Sequence, residues 1–383
     1  MTLRSAVAAL TVSTGVSCSS SPRPSAAPIV APPLAASAPL TPDAAPVPDD
    51  AGRKVADFLS RIALVRELAP RAPVEARVLD RAKLIASVRE HVAREVPPEV
   101  IRNQGELLVG FGLVPPGFDY EEGAFKLLEA QLAGFYEPHD KKMYLAGDLQ
   151  DRAADATLAH ELVHALQDQY YDLGTRLAYQ AEANDRESAL QALAEGDATS
   201  AMMDLMLSSA HRRAIDVPDE VFAAEVEASM STSPDTAGVP RVLRASLVAP
   251  YVDGVLFVHA LRRRNAAAKG TAGWLAVDDA WRAPPQTTEQ LLHLEKYDAH
   301  ETPEVLAAPP PPSKDKWVAS YDDVFGEQGF RIAVEEWLPK KGAAGAAAGW
   351  AGDRAVLFRL SPPDSPPESE AQRGPTRFAA AWH

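Results

Sequence analysis

The chain has 383 residues, 46% of them hydrophobic and 24% charged, which supplies one large core or two smaller ones and excludes a disordered protein. A formal charge of −15 excludes a phosphate-tracking nucleic-acid surface, which needs clustered Lys and Arg, so no nucleic-acid partner is expected. The single cysteine, Cys18, leaves no possibility of an intrachain disulfide or a Cys-rich zinc site.

The chain opens with MTLRSAVAALTVSTGVSC: one Arg, an apolar run too short to span a bilayer, then small residues, the pattern of an export signal over residues 1–18. The stretch Gly15, Val16, Ser17, Cys18 resembles the lipobox of bacterial lipoproteins, with Gly15 where that motif usually has Leu. The resemblance implies lipidation of Cys18 and a place in the cell envelope, anchored to a membrane. A plain cleaved signal would instead give a periplasmic or secreted protein. Residues 19–52 are rich in Pro, Ala and Ser and read as an extended tether without a core of its own.

Residues 53–115 form an expected N-terminal helical region: VADFLSRIALVREL and EARVLDRAKLIASVREHVAREV both place Leu, Ile and Val at three- and four-residue steps. A catalytic-size core is expected over 116–310. Within it, residues 124–148 begin as a helix and then turn at EPHD, which predicts a β-hairpin over 132–146 just before the next helix. Residues 185–211 read as a long helix capped by Asp185, and PYVDGVLFVHALRRRN as a helix starting at Pro250, where a helix start tolerates proline. Residues 311–383 read as a small mixed unit with a frayed end. The expected class is α+β: a mostly helical core with a small antiparallel sheet or hairpin ahead of the central helix.

That helix carries TLAHELVHALQDQ, residues 157–169. At 3.6 residues per turn His160 and His164 project from one face, one turn apart, close enough to hold one ion. Glu161 lies about 100° round from His160 and flanks that ion instead of ligating it. Leu158, Leu162, Ala165 and Leu166 give the helix apolar contacts. HExxH is thus a chemical arrangement for Zn²⁺: the ion acidifies a bound water and the adjacent carboxylate takes its proton. A catalytic zinc needs a third protein ligand and an open position. The metzincin extension is absent, since Gln167 and Tyr170 stand where Gly and His would be required. Glu195, in ALAEGDATSA on the next long helix, is the best third ligand, with Glu187 and Asp197 as alternatives. Gly196 beside it marks a place where backbones approach closely.

HELVH followed by a Glu-bearing helix resembles the gluzincin branch of the zincin metallopeptidases over roughly residues 130–200. The phrases GFYEPHDKKMYL, AHELVHALQDQ, LAEGDAT, PPQTTEQLLHLEKY and GWAGDR also resemble a group of exported bacterial HExxH proteins, as far as about residue 355. The resemblance implies a zincin-like fold, a zinc site of His160, His164 and Glu195, Glu161 as general base, and a peptide or protein substrate. Many gluzincins orient a zinc histidine with an Asp four residues after the third ligand; here that residue is Thr199, which leaves Asp168 and Asp197 as candidates for the supporting role. His293, Tyr251 and Tyr297 are candidates to stabilise the oxyanion of peptide hydrolysis. The hairpin could pair an extended substrate along its edge. No obligate protein partner is evident. The rival expectation is a catalytically silent surface lipoprotein in which the same fold only braces helices or binds.

Overall fold

The computed structural model describes residues 49–129, 132–147, 151–231, 238–313, 316–360 and 378–383. The export signal, Cys18 and nearly all of the tether lie outside the described residues. The fold is mostly helical, with two small three-stranded sheets, and so belongs to the α+β class.

The first helix, α1 (Asp49–Arg66), ends at a fully buried arginine. The next segment departs from the helical expectation, because Glu75–Leu79 is a strand, β1, and not the start of a helix. Its Ala, Glu and Arg favour a helix locally, but pairing with a distant strand overrides that preference. Asp80 then caps α2 (Arg81–Glu95), accepting a hydrogen bond from Lys83 N. After α3 (Pro98–Gly110) and α4 (Tyr120–Glu129) comes the expected hairpin, β2 (Gly134–Glu137) and β3 (Lys142–Ala146). It is one part of a mixed sheet: β3 is central, antiparallel to β2 and parallel to β1. The sheet is therefore not purely antiparallel.

Two helices form the centre, α5 (Asp151–Tyr171) and α7 (Asn184–Leu207), joined through the short α6 (Leu173–Arg176). From Ala156 to Asp168, and from Asn184 to Leu205 except for exposed Arg186 and half-buried Leu190, their residues are buried. A helix stretch with no wet side belongs to the interior, so each buried polar side chain on it needs a partner or a task. Asp185 is not a helix cap; it is buried and accepts hydrogen bonds from the backbone and hydroxyl of Thr288.

Beyond α8 (Asp219–Ser231) runs α9 (Arg241–Lys269), which corrects the expected start at Pro250: the proline lies inside a 29-residue helix. Although α9 is long and apolar enough to cross a bilayer, 67% of its most apolar window is buried inside the protein, as in a core helix. It crosses α7 at a glycine pair. A Cβ on Gly196 would stand 2.2 Å from the Gly254 carbonyl carbon, and one on Gly254 would stand 1.9 Å from Ala192 O. Only paired glycines allow this approach, as the position of Gly196 in the sequence implies. The core is completed by α10 (Trp274–Arg282), α11 (Thr288–Leu292) and α12 (Leu294–Asp298).

The C-terminal part holds β4 (Trp317–Asp323), α13 (Gly326–Val334), α14 (Lys340–Ala347), β5 (Ala355–Leu360) and β6 (Phe378–Trp382), with antiparallel order β4-β5-β6. Residues Phe378–Trp382 are a paired strand, while the Pro- and Ser-rich stretch before them, where the sequence predicts fraying, lies outside the described residues. Trp382 packs on Phe325 and Phe111, with ring centroids 4.6 and 5.1 Å apart, and its indole N–H donates to Asp353 at 2.9 Å.

His91 on α2 is buried although it is titratable. It is 2% exposed, neither ring nitrogen has a hydrogen-bond partner among the described residues, and burial, with Arg94 and His139 nearby, pushes its pKa down to about 3. The unfolded chain, with the ordinary value near 6.5, binds one more proton between these two pH values. Stability is therefore fully present above about pH 6.5 and falls as pH drops toward 3, by up to about 1.4 kcal/mol per pH unit. His91→Leu is expected to flatten this slope. The check is the thermal midpoint at neutral pH and at about pH 4.5; equal losses in variant and wild type would remove His91 as the cause.

A buried His-His-Glu centre

The site forms where α5 faces α7. His160 Nε2 lies 3.0 Å from His164 Nε2 and 3.1 Å from Glu195 Oε2, and His164 Nε2 lies 3.7 Å from the same oxygen. All three side chains are at most 1% exposed. For bonds of about 2.05 Å, tetrahedral angles place zinc ligand atoms about 3.3 Å apart. The observed triangle has that size, so its three donors can share one ion.

The hydrogen bonds of Gln167 decide which nitrogen of His164 carries the lone pair. Gln167 Nε2 donates to Ala194 O at 2.9 Å and to Asp197 Oδ2 at 3.1 Å, both pure acceptors. That fixes the Gln167 amide, so its Oε1 faces His164 Nδ1 at 2.7 Å and must accept a proton from it. In the neutral ring Nε2 then has its lone pair free, pointing at His160 and Glu195. Burial holds His160 neutral, lowering its pKa to about 4 against the opposing pull of Glu195. Burial acts to raise the Glu195 pKa, but the contact with His160 Nε2 and the closeness of His164 outweigh it, and the carboxyl stays below the usual range. One lone-pair nitrogen of His164, a neutral His160 whose Nδ1 has no hydrogen-bond partner among the described residues, and a carboxylate, one of whose oxygens (Oε1) likewise has none, converge on one point. A cation resolves that arrangement; apolar burial alone does not.

Glu161 follows His160 on the same turn, fully buried, and its Oε2 accepts a hydrogen bond from Tyr136 N at 3.1 Å. The outer edge of β2 thus touches the carboxylate next to the centre. Asp168 goes to the hairpin, accepting from Tyr136 Oη at 2.8 Å and Lys141 Nζ at 2.6 Å, and so it fastens the sheet to α5. Asp197 supports the site at one remove. It accepts from Gln167, from Arg66 Nε at 2.5 Å and from the Trp281 indole at 2.8 Å. Arg66 also reaches Asp278 at 2.8 Å, and its guanidinium lies 4.6 Å from the Trp274 ring centre, with Arg262 at 3.6 Å from that same ring. Asp197 is therefore already committed to other partners, and Glu187, whose Oε1 accepts from Gln180 N at 2.7 Å, is too.

Of the three oxyanion candidates, the structure brings Tyr251 to the centre: its ring lies 6.2 Å from that of His160 and is 2% exposed. The Gly196–Gly254 crossing, one turn further along α9, puts it there. His293 sits between α11 and α12 with Nε2 2.9 Å from Glu327 Oε1 and Nδ1 3.7 Å from Glu295. Tyr297 donates to Ala283 O at 2.8 Å and packs edge-on against Phe257. The partners of both lie away from the triangle. Gln167 is the functional residue that sequence reasoning missed, although it stands three residues after His164, where a helix turns a side chain back onto its neighbour. Thr199 is fully buried and its hydroxyl has no hydrogen-bond partner among the described residues, so it does not replace the absent aspartate. Comparison of the chain with family models, with curated proteins and with solved structures returned no match, so the centre is judged on its own geometry.

Proposed function

We propose that the protein is a zinc-dependent metallopeptidase of gluzincin-like, zincin-type design, exported and anchored through Cys18, that acts on peptides or proteins. The observation that carries this reading is the triangle of His160, His164 and Glu195, sized for a tetrahedral ion and made of three protein donors. Three donors leave a coordination position for water or substrate, whereas structural zinc sites are closed by four. Bound zinc supplies an acidified water and polarises a carbonyl. With zinc held by His160, His164 and Glu195, Glu161 would take up a proton at its carboxylate and pass it to the leaving amine, a role that suits a buried carboxylate beside the ligands. Tyr251, against His160, is the residue placed to steady the charge developing on the substrate carbonyl oxygen. Tyr136 N–H orients Glu161, and Gln167 keeps His164 in the ligating tautomer.

Complete burial of the donors favours a second reading, a closed metal site that braces α5 against α7 in a binding lipoprotein. Metal analysis of the purified mature chain, combined with a peptide-library digest with and without chelator, separates the two. The expected result is about one zinc per chain and cleavage that chelation abolishes. Zinc without cleavage would leave the bracing role, and absence of metal would sink both.

A further inference from the structure

We propose that the corner between α13 and α14 is a membrane-contacting face, seated in the headgroup layer of a bilayer that contains anionic lipid. The inference does not depend on the metal centre; it concerns how the folded part lies against the surface to which the proposed Cys18 anchor would hold it. Trp337 closes the turn after α13, where its N–H donates to Val334 O at 3.1 Å. It is 64% exposed, and Leu338 beside it is 42% exposed. The other five of the six tryptophans are buried or half-buried. An indole left in water next to a leucine is apolar surface that folding has not used. Tryptophan suits the boundary between hydrocarbon and water, because its ring is apolar and its N–H can meet a headgroup oxygen.

Charge names the partner. From Trp337 to Gly352 the sequence carries Lys340 and Lys341 and no carboxylate, in a chain whose formal charge is −15. Both lysines are exposed. The two acids just ahead, Glu335 and Glu336, are paired with Arg241 at 2.9 and 3.1 Å, so their charge is offset at the rim. Past the far end of α14, Glu304 N donates to Ala351 O at 2.6 Å; Val305, 92% exposed, follows it, and no charged residue occurs from there to Ser313. Glu304, packed against Gly352, puts a carboxylate at that end, so the basic end of the face is the one at Trp337. An anionic membrane repels the acidic bulk of the molecule and attracts the two ammonium groups, which turns this corner toward the lipid. The lysine stems can lie along apolar surface while their heads reach the phosphates.

The test is sedimentation of the full mature chain, carrying Cys18→Ser so that no acyl group contributes, with vesicles of phosphatidylcholine alone and of phosphatidylcholine mixed equally with phosphatidylglycerol. Binding is expected to favour the mixed vesicles and to weaken as salt is raised. Lys340→Gln combined with Lys341→Gln should weaken it by about fivefold for each charge removed. Trp337→Phe should remove most of the tryptophan quenching that brominated lipid produces in the parent chain, and Leu338→Gln should weaken binding without that loss of emission signal. Absence of binding to the mixed vesicles, binding that the lysine variant leaves unchanged, or quenching that survives Trp337→Phe overturns the proposal. A concentration-dependent dimer that Trp337→Ala dissolves overturns it too, by giving the face to a second copy of the chain. Glu161→Gln should bind vesicles as the parent does, and a parent chain that binds vesicles yet cleaves no peptide overturns the metallopeptidase reading while leaving this face standing.

Discussion

Glu161→Gln is expected to lower peptide cleavage about 10²- to 10⁴-fold, the usual contribution of a positioned general base, while leaving zinc content and fold unchanged. Glutamine has the shape of glutamate, and its carbonyl oxygen can still accept the hydrogen bond from Tyr136 N that now holds Glu161 Oε2 at 3.1 Å. The imidazoles and Glu195 do not depend on residue 161, because Gln167 and their mutual contacts orient them. What the substitution removes is the capacity to accept a proton. Elemental analysis and single-turnover cleavage on the same preparation are the measurements. An unchanged rate would falsify the base assignment, whereas loss of zinc would mean that Glu161 shapes the centre and does not act beside it.

The second large effect belongs to Gly254. Gly254→Ala would put a methyl group 1.9 Å from Ala192 O, a backbone atom on the other helix that no rotamer change can move away. The helices must separate, and overpacking of this kind costs about 1–3 kcal/mol or more. Separation also carries Glu195, adjacent to Gly196, away from the imidazoles on α5, so zinc retention should fall together with the thermal midpoint. Gly345→Ala is the matched control: it lies on α14 with nothing within 4 Å of the added carbon. Removing a helical glycine there should be neutral or should stabilise by about 0.5–1 kcal/mol. Denaturant unfolding of both variants checks the contrast. Equal behaviour would show that the crossing is looser than its geometry.

The centre was legible in the sequence because its chemistry is local. Four-residue spacing puts His160 and His164 on one face whatever surrounds them, and Glu195 stood out among small neighbours on a second buried helix. The hairpin was legible too, since EPHD interrupts apolar alternation. What stayed hidden depends on distant pairing. Glu75–Leu79 reads as helix until β3, more than sixty residues later, offers its edge. Pro250 reads as a start because a proline inside a helix forfeits a hydrogen bond, a local loss that the buried packing of α9 overrides. Asp185, taken for a cap, is claimed by Thr288, and the support of His164 by Gln167 appears only when Ala194 and Asp197 fix the amide.

The complete enclosure of the donor atoms has a kinetic consequence. A chelator or incoming ion can meet His160, His164 and Glu195 only after α5, α7 and α9 part locally, so loading and loss of metal run no faster than that opening. If the centre holds zinc as proposed, exchange of the ion would be a clock for the breathing of the helix pair, and a protein charged during folding would keep its cargo long after free zinc had vanished from its surroundings.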